Sequence, residues 1–177
     1  MNVIIAVDTS YSMTKIISEV VNGLNKFLIK LKSLSTDVKP IYLTVISFNT
    51  DIQYISKSVN VNMIDKFYTF QFNSFGMTSL YDVIGQIFLD FGLYVACPSH
   101  FFIISDGEDN SSKKYNKNTI DSMLNVAQNN NWKITHCHTD VNILDIPTIT
   151  YNIEDISSIF DNLSIEDISS IFDNLSV

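Results

Sequence analysis

Residues 100–104, HFFII, form a five-residue run bounded by Pro98 on one side and by Asp106-Gly107 on the other. A short run without polar alternation, closed off by turn residues, reads as a strand buried on both faces. Such a strand needs cover above and below, so the chain must supply helices to both sides of a sheet. The rest of the sequence meets that demand. Residues 2–7 read as a short strand, followed by a helical pattern over 14–32. There Ile16, Ile17, Val20, Val21, Leu24, Phe27, Leu28 and Leu31 recur at helical spacing. Residues 40–48 read as a strand, and the polar link Asn49-Thr50-Asp51 leads into another at 52–58. So tight a link predicts an antiparallel hairpin. Residues 61–67 read as a short helix. The 79–94 stretch reads as a long one, with Leu80, Val83, Ile84, Ile87, Phe88 and Phe91 on one face. A helix over 117–130, with Ile120, Met123, Leu124 and Ala127 inward, and strands at 132–137 and 146–150 complete the order. Strand and helix alternate, which predicts an α/β sheet with helices on both faces.

The length, 177 residues, suits one domain. Only 17% of residues are charged and 46% are hydrophobic, which excludes the disordered class. The formal net charge is -8 and every one of the 11 basic residues is a lysine. Without arginine there is no bidentate guanidinium fork, and a negative field repels polyanions, so nucleic acid is not an expected partner. No basic leader precedes an apolar core at the start, and no apolar run approaches the roughly 20 residues a membrane span needs. The expectation is an intracellular, cytoplasmic protein without membrane attachment. Cys97 and Cys137 fit no zinc spacing and read as buried free thiols.

The segment IEDISSIFDNLS at 153–164 recurs unchanged at 165–176. Each copy carries helical apolar spacing, three acids and no base, leaving 13 acids against 11 lysines in residues 1–152. Twelve residues at about 100° each rotate the second apolar stripe by about 120° from the first. One straight helix cannot bury both stripes on one flat surface. The expected organisation is therefore a single domain over 1–164 and a duplicated copy of its last helix over 165–177.

Three polar clusters fall where strands end or helices begin: Asp8-Thr9-Ser10-Tyr11-Ser12, Gly76-Met77-Thr78-Ser79 and Ser105-Asp106-Gly107-Glu108. Loops at the carboxyl ends of strands line the ligand crevice of open α/β sheets. Each cluster also has an ordinary reading. Asp8 or Ser10 would cap the first helix, Ser79 the next, and Asp106-Gly107 would make a turn. Their chemistry nevertheless converges. Two carboxylates and three hydroxyls are hard oxygen donors suited to magnesium, calcium or manganese. A cation also accounts for two aspartates brought close together, which otherwise repel.

Asp8-x-Ser10-x-Ser12 after the first strand, Thr78 before a helix and Asp106 after a buried strand resemble the metal-ion-dependent adhesion site of von Willebrand factor type A domains. The segments GMTSLYDVIGQI and FFIISDGEDNSSKKYNKNTIDSMLNVAQNNNWKIT are similar to small standalone members from bacteria and viruses. The resemblance spans roughly residues 1–138. It implies a Rossmann-like sheet of order 3-2-1-4-5-6 whose third strand, at one edge, is antiparallel, in agreement with the hairpin read at 49–51. It implies that Ser10, Ser12 and Thr78 give hydroxyl oxygens to the ion. Asp8 and Asp106 would act largely through bound waters, with direct binding open to one of them. The ion implied is Mg2+, with Mn2+ or Ca2+ as alternatives.

Members of the family often carry glycine between the two serines, where this chain has Tyr11. Its ring either stands on the rim of the site or lies against the loop. Met77 adds an adaptable apolar contact, and Glu108 completes the expected ligand-binding rim. Glu108 and Asp109 also stand where acid–base groups would, although acids in a loop are ordinarily just solvated. Residues 139–146 are too short for the helix the family often places before its last strand. His100, His136 and His138 lie in or beside strands, with the last two on one face, and no third ligand has suitable spacing for a histidine metal site.

The expected function is a metal-dependent protein-binding module that captures an Asp or Glu of a partner. No catalytic residue is assigned. The alternatives are a metal-dependent hydrolase or phosphoryl-transfer enzyme and a structural domain with a vestigial site. Phosphatases of another α/β class place a nucleophilic aspartate where Asp8 falls, but they need a second aspartate where this chain has Ser10.

Overall fold

The computed structural model describes residues 1–94, 97, 99–106, 108–138, 144 and 146–150. Six strands form one sheet: β1 (Asn2–Asp8), β2 (Tyr42–Phe48), β3 (Ile52–Asn60), β4 (Ser99–Ile104), β5 (Trp132–His138) and β6 (Thr148–Thr150). Their order is β3-β2-β1-β4-β5-β6. All neighbouring pairs are parallel except β2 and β3, the hairpin at one edge. The predicted order and the antiparallel edge strand are both present.

Side-chain parity divides the core. Val3, Ile5 and Val7 of β1 pack with Phe102 and Ile104 of β4 against α1 (Ile17–Leu34), whose Val20, Leu24, Phe27 and Leu31 face the sheet. Ile4 and Ala6, with Phe101 and Ile103, face the other way. They meet Leu80, Val83, Ile84 and Ile87 of α2 (Leu80–Phe91) and Ile120 and Leu124 of α3 (Lys117–Gln128). Residues Val3–Val7 and Phe101, Ile103 and Ile104 have no exposed surface, as a strand covered on both faces requires. Full burial of one such side chain contributes about 1.5–3 kcal/mol, so a charge at Ile5 would break the sheet at its centre. Among the described residues no helix is long and apolar enough to cross a membrane.

Several expected boundaries shift. The first helical pattern divides into a 3-10 turn, Tyr11–Lys15, and α1, because the chain must leave the site loop before an α-helix can lie on the sheet. The short helix expected over 61–67 reduces to a 3-10 turn at Val61–Met63, started by the Asn60 side chain accepting from the Asn62 N–H. Cys137 is buried, and burial pushes its thiol up to about 12, but Cys97 is exposed, against expectation. It lies in the connection before β4 rather than within a strand, so no layer covers it. The repeat at 153–176 and most of 139–146 lie outside the described residues.

Candidate functional site

The parity that sends Ile4 and Ala6 toward α2 carries Asp8, the last residue of β1, to that side as well. Asp8 has no exposed surface. One carboxylate oxygen accepts from the Ser10 N–H at 2.7 Å and the other from the Thr78 hydroxyl at 3.4 Å. The Ser10 and Ser12 hydroxyls are 3.1 Å apart, and the Ser12 hydroxyl donates to Asp106 Oδ2. β1 and β4 are neighbours, so Asp106 enters beside Asp8 from the next strand's end. Residues from three separate loops, Asp8, Ser10, Ser12, Thr78 and Asp106, thus meet at the carboxyl end of the sheet.

Electrostatics at this point favour a cation. Burial pushes the Asp8 carboxyl up to about 7; hydrogen bonds from Ser10 and Thr78 pull it down, and the Asp106 charge adds to the rise. Asp106 Oδ1 is buried with no hydrogen-bond partner among the described residues. A bare acceptor on a carboxylate is costly in this setting. A divalent ion would satisfy that oxygen and relieve the repulsion, and the surrounding hydroxyls are donors of the hard type such an ion takes. The residues present therefore fit the metal. Among the described residues no group of three or more His, Cys, Asp or Glu side chains could hold an ion, so hydroxyl oxygens must complete any site here. His136 instead pairs through Nε2 with the Ser105 hydroxyl at 2.9 Å, and its ring lies 5.1 Å from that of His138.

The loops are held by contacts that the capping readings miss. Neither Ser10 nor Ser79 caps its helix with its side chain. The Ser79 hydroxyl and N–H both donate to the Asn49 carbonyl, and Asn49 Nδ2 donates to the Thr9 hydroxyl at 3.2 Å. The first turn of α2 is capped from the β4–α3 loop. The Tyr81 N–H goes to Asp109 Oδ1, the Asp82 N–H to the Ser112 hydroxyl and the Thr78 N–H to Asn110 Oδ1. Asp82 returns the tie by accepting from the N–H groups of Lys113, Lys114 and Tyr115. Gly85 leaves room for this loop: a Cβ there would lie 2.4 Å from the Tyr115 ring. These partners are about 30 residues apart in sequence, so no local pattern announces them.

At the surface, Tyr11 is 77% and Met77 51% exposed, which places the Tyr11 ring on the rim. Glu108 is exposed as well. Gly76 has φ +72, and any Cβ would lie 2.6 Å from the Thr50 hydroxyl, so the bend that presents Thr78 requires glycine. Asp109, a candidate acid–base group by position, is instead taken up in capping Tyr81 and accepting from the Ser112 hydroxyl at 2.5 Å.

No protein-family model matches the sequence, and no curated protein matches it. Solved structures do match the fold. The von Willebrand factor domain of the type V pili tip protein Mfa5 from Porphyromonas gingivalis aligns with a TM-score of 0.72 at 10% identity, covering 96% of this chain and 95% of that one. This chain has the von Willebrand factor type A fold. The ArnB paralog VWA2 from Sulfolobus acidocaldarius aligns with a TM-score of 0.62 at 17% identity, over 92% of this chain and 44% of that one. Proximal thread matrix protein 1 from the mussel byssus, in a structure with a zinc-occupied MIDAS motif, gives 0.65 at 12% identity over the same shares. The type A fold of this chain thus spans less than half the length of several proteins it resembles.

Proposed function

We propose that this chain is a divalent-metal-dependent protein-binding module that captures an acidic side chain of a partner. The observation that carries the reading is the meeting of Asp8, Ser10, Ser12, Thr78 and Asp106, with one Asp106 oxygen buried and unsatisfied. Mg2+ is the ion proposed, with Mn2+ or Ca2+ able to replace it. It would supply a Lewis-acid position open to an incoming carboxylate. Ser10, Ser12 and Thr78 contribute oxygen without charge. Two aspartates cancel the charge of a divalent ion, and neutral hydroxyls leave it electrophilic toward one more anion.

The chain's own residues divide the work. Asp8 accepts from the Ser10 N–H and the Thr78 hydroxyl and so ties together the two loops that carry those hydroxyls. Asp106, with its bare oxygen, is the carboxylate placed to bind an ion directly. The same burial argues against turnover. A nucleophilic aspartate must reach its substrate, and Asp8 has no exposed surface. Two von Willebrand type A proteins of similar fold, a pilus tip protein and a byssal matrix protein, are in keeping with adhesion or assembly rather than catalysis.

The test is an affinity capture on the immobilised protein in Mg2+ and again in EDTA, alongside an assay of phosphate-ester hydrolysis. A partner retained only with the ion, and lost in Asp106→Ala, is the expected result. Metal-dependent hydrolysis abolished by Asp8→Ala would overturn the reading in favour of an enzyme. Absence of any divalent binding by calorimetry would leave a structural domain.

A further inference from the structure

The rim of the site holds more apolar surface than the sequence pattern alone marks. The Tyr11 N–H donates to the Gly76 carbonyl at 3.2 Å and the Phe75 N–H to the Thr9 carbonyl at 2.9 Å. These two bonds lay segment 75–77 alongside segment 9–11. Tyr11, Phe75 and Met77, at 77%, 52% and 51% exposure, therefore stand on adjoining backbone that also carries Ser10, Ser12 and Thr78. The site loops 9–14, 49–51, 74–79 and 105–112 contain Asp51, Asp106, Glu108 and Asp109 and no lysine. An incoming acid finds its strongest attraction at a bound ion, and a further acid on the same segment faces the carboxylates of these loops, with Lys15, Lys113 and Lys114 only beyond their ends.

We infer that Tyr11, Phe75 and Met77 form one apolar rim that selects a segment with a single acidic residue flanked by large apolar side chains. The inference rests on the metal-dependent reading above and names the chemistry of its ligand. The acid has one attractive position, the ion. Its neighbours in sequence lie over the rim, where aromatic and polarizable side chains offer contact area and charge does not. Large exposed apolar side chains gathered at a polar site mark an interaction surface, and central aromatic anchors carry much of the affinity of such surfaces.

Three fluorescein-labelled heptapeptides test this by anisotropy in Mn2+ and in EDTA: Gly-Ser-Leu-Asp-Phe-Ser-Gly, the same with serine for leucine and phenylalanine, and the same with asparagine for aspartate. In Mn2+ the first should bind at least about tenfold more tightly than the other two, the scale expected of one filled apolar contact. EDTA should abolish its binding. The Tyr11→Ser/Phe75→Ser double variant should bring the first peptide to the level of the serine peptide. Calorimetric Mn2+ titration of that variant reads the metal site separately and should give an affinity within about twofold of the parent. Equal binding of the first two peptides, with Mn2+ bound normally, would overturn the rim and leave the metal module standing. Equal binding of the aspartate and asparagine peptides would overturn it too, because contact would not pass through the ion. A dimer in sedimentation that the double variant dissolves, with no peptide bound, would overturn it by assigning the patch to a second copy of the chain. Failure to bind Mn2+ at all would remove the metal reading itself.

Discussion

At the end of β1, Asp8 is wholly buried and both of its oxygens are engaged, by the Ser10 N–H and the Thr78 hydroxyl. Just past the end of β4, Asp106 is half-buried, takes the Ser12 hydroxyl on one oxygen and keeps the other without a partner among the described residues. Asp8 closes β1 and Asp106 follows two residues after the neighbouring parallel strand β4, yet their surroundings differ because their loops do. The loop after β1 is stitched to β2 and to the segment before α2 through Thr9, Asn49 and Ser79. The loop after β4 spends its polar groups on capping α2. What the difference teaches is a division between a carboxylate closed in by its own loops and one that keeps an oxygen without a partner among the described residues.

The strongest way to break that comparison is at the bare oxygen. Asp106→Ala is expected to weaken Mg2+ or Mn2+ binding more than about a thousandfold, since it removes the carboxylate oxygen without a partner among the described residues. Asp8→Asn, which keeps the shape and most hydrogen bonding, should weaken it only about 10- to 100-fold, as changes behind the direct ligands do. Calorimetric titration of both variants checks this. Equal losses would erase the distinction between the two carboxylates.

A pH series sharpens the same point. The Asp8 carboxyl is raised from 3.8 to about 7 in the fold, with burial as the main cause. The folded state holds that proton more tightly than the unfolded chain. The contribution of Asp8 to stability is therefore fully present below about pH 4 and is lost as pH rises through about 7. Without metal, denaturation in urea should show a loss on the order of 3 kcal/mol across that window from this group. Asp8→Asn should flatten the profile. The sign reverses for metal affinity, which should rise toward pH 7 with release of a proton, because the ion competes for the carboxylate. A metal-free profile identical in parent and Asp8→Asn would show that the carboxyl is not strained by burial.

The tie between the two sides gives a smaller effect. Asp82→Ala removes the acceptor for three N–H groups of the β4–α3 loop. Those groups lie near water, so the expected cost is about 1–2 kcal/mol in thermal or urea unfolding. Metal affinity should fall with it, because Asp106 enters on that loop. Undiminished affinity would mean that Asp106 is set by β4 alone. The smallest effect is expected outside the site. Deletion of residues 165–177 should change stability by less than about 0.5 kcal/mol, since the second apolar stripe is rotated away from the first. A loss above about 2 kcal/mol on differential scanning calorimetry would mean that the second copy packs in the core.

Much of the site is legible in the amino-acid order alone. Asp8, Ser10, Ser12, Thr78 and Asp106 stand at element ends because strand and helix periodicities stop there, and that is visible in a single sequence. Phe75 carries no such signal. It lies in an irregular stretch, and it is brought to the rim by backbone hydrogen bonds between segments 75–76 and 9–11. Asn49, Asn110 and Ser112 are equally silent, since an asparagine or serine in a loop signals a turn as readily as a cap for a distant helix. The exposed Cys97 shows the converse error: an apolar neighbourhood in sequence suggests burial where no layer covers the chain.

The sequence by itself determined the elements, their alternation and the ends at which polar residues collect. These follow from periodicity and turn chemistry, which act over a few neighbouring residues. Only the tertiary structure decided which carboxylate is closed in and which keeps a bare oxygen. It also decided that α2 is capped from about 30 residues away and that Tyr11 faces solvent beside Phe75 and Met77. The physical reason is that burial and hydrogen-bond satisfaction belong to groups in space. Asp8 and Asp106 are the same residue type at equivalent ends of neighbouring strands, and only the loops folded over them make one a support and leave the other open.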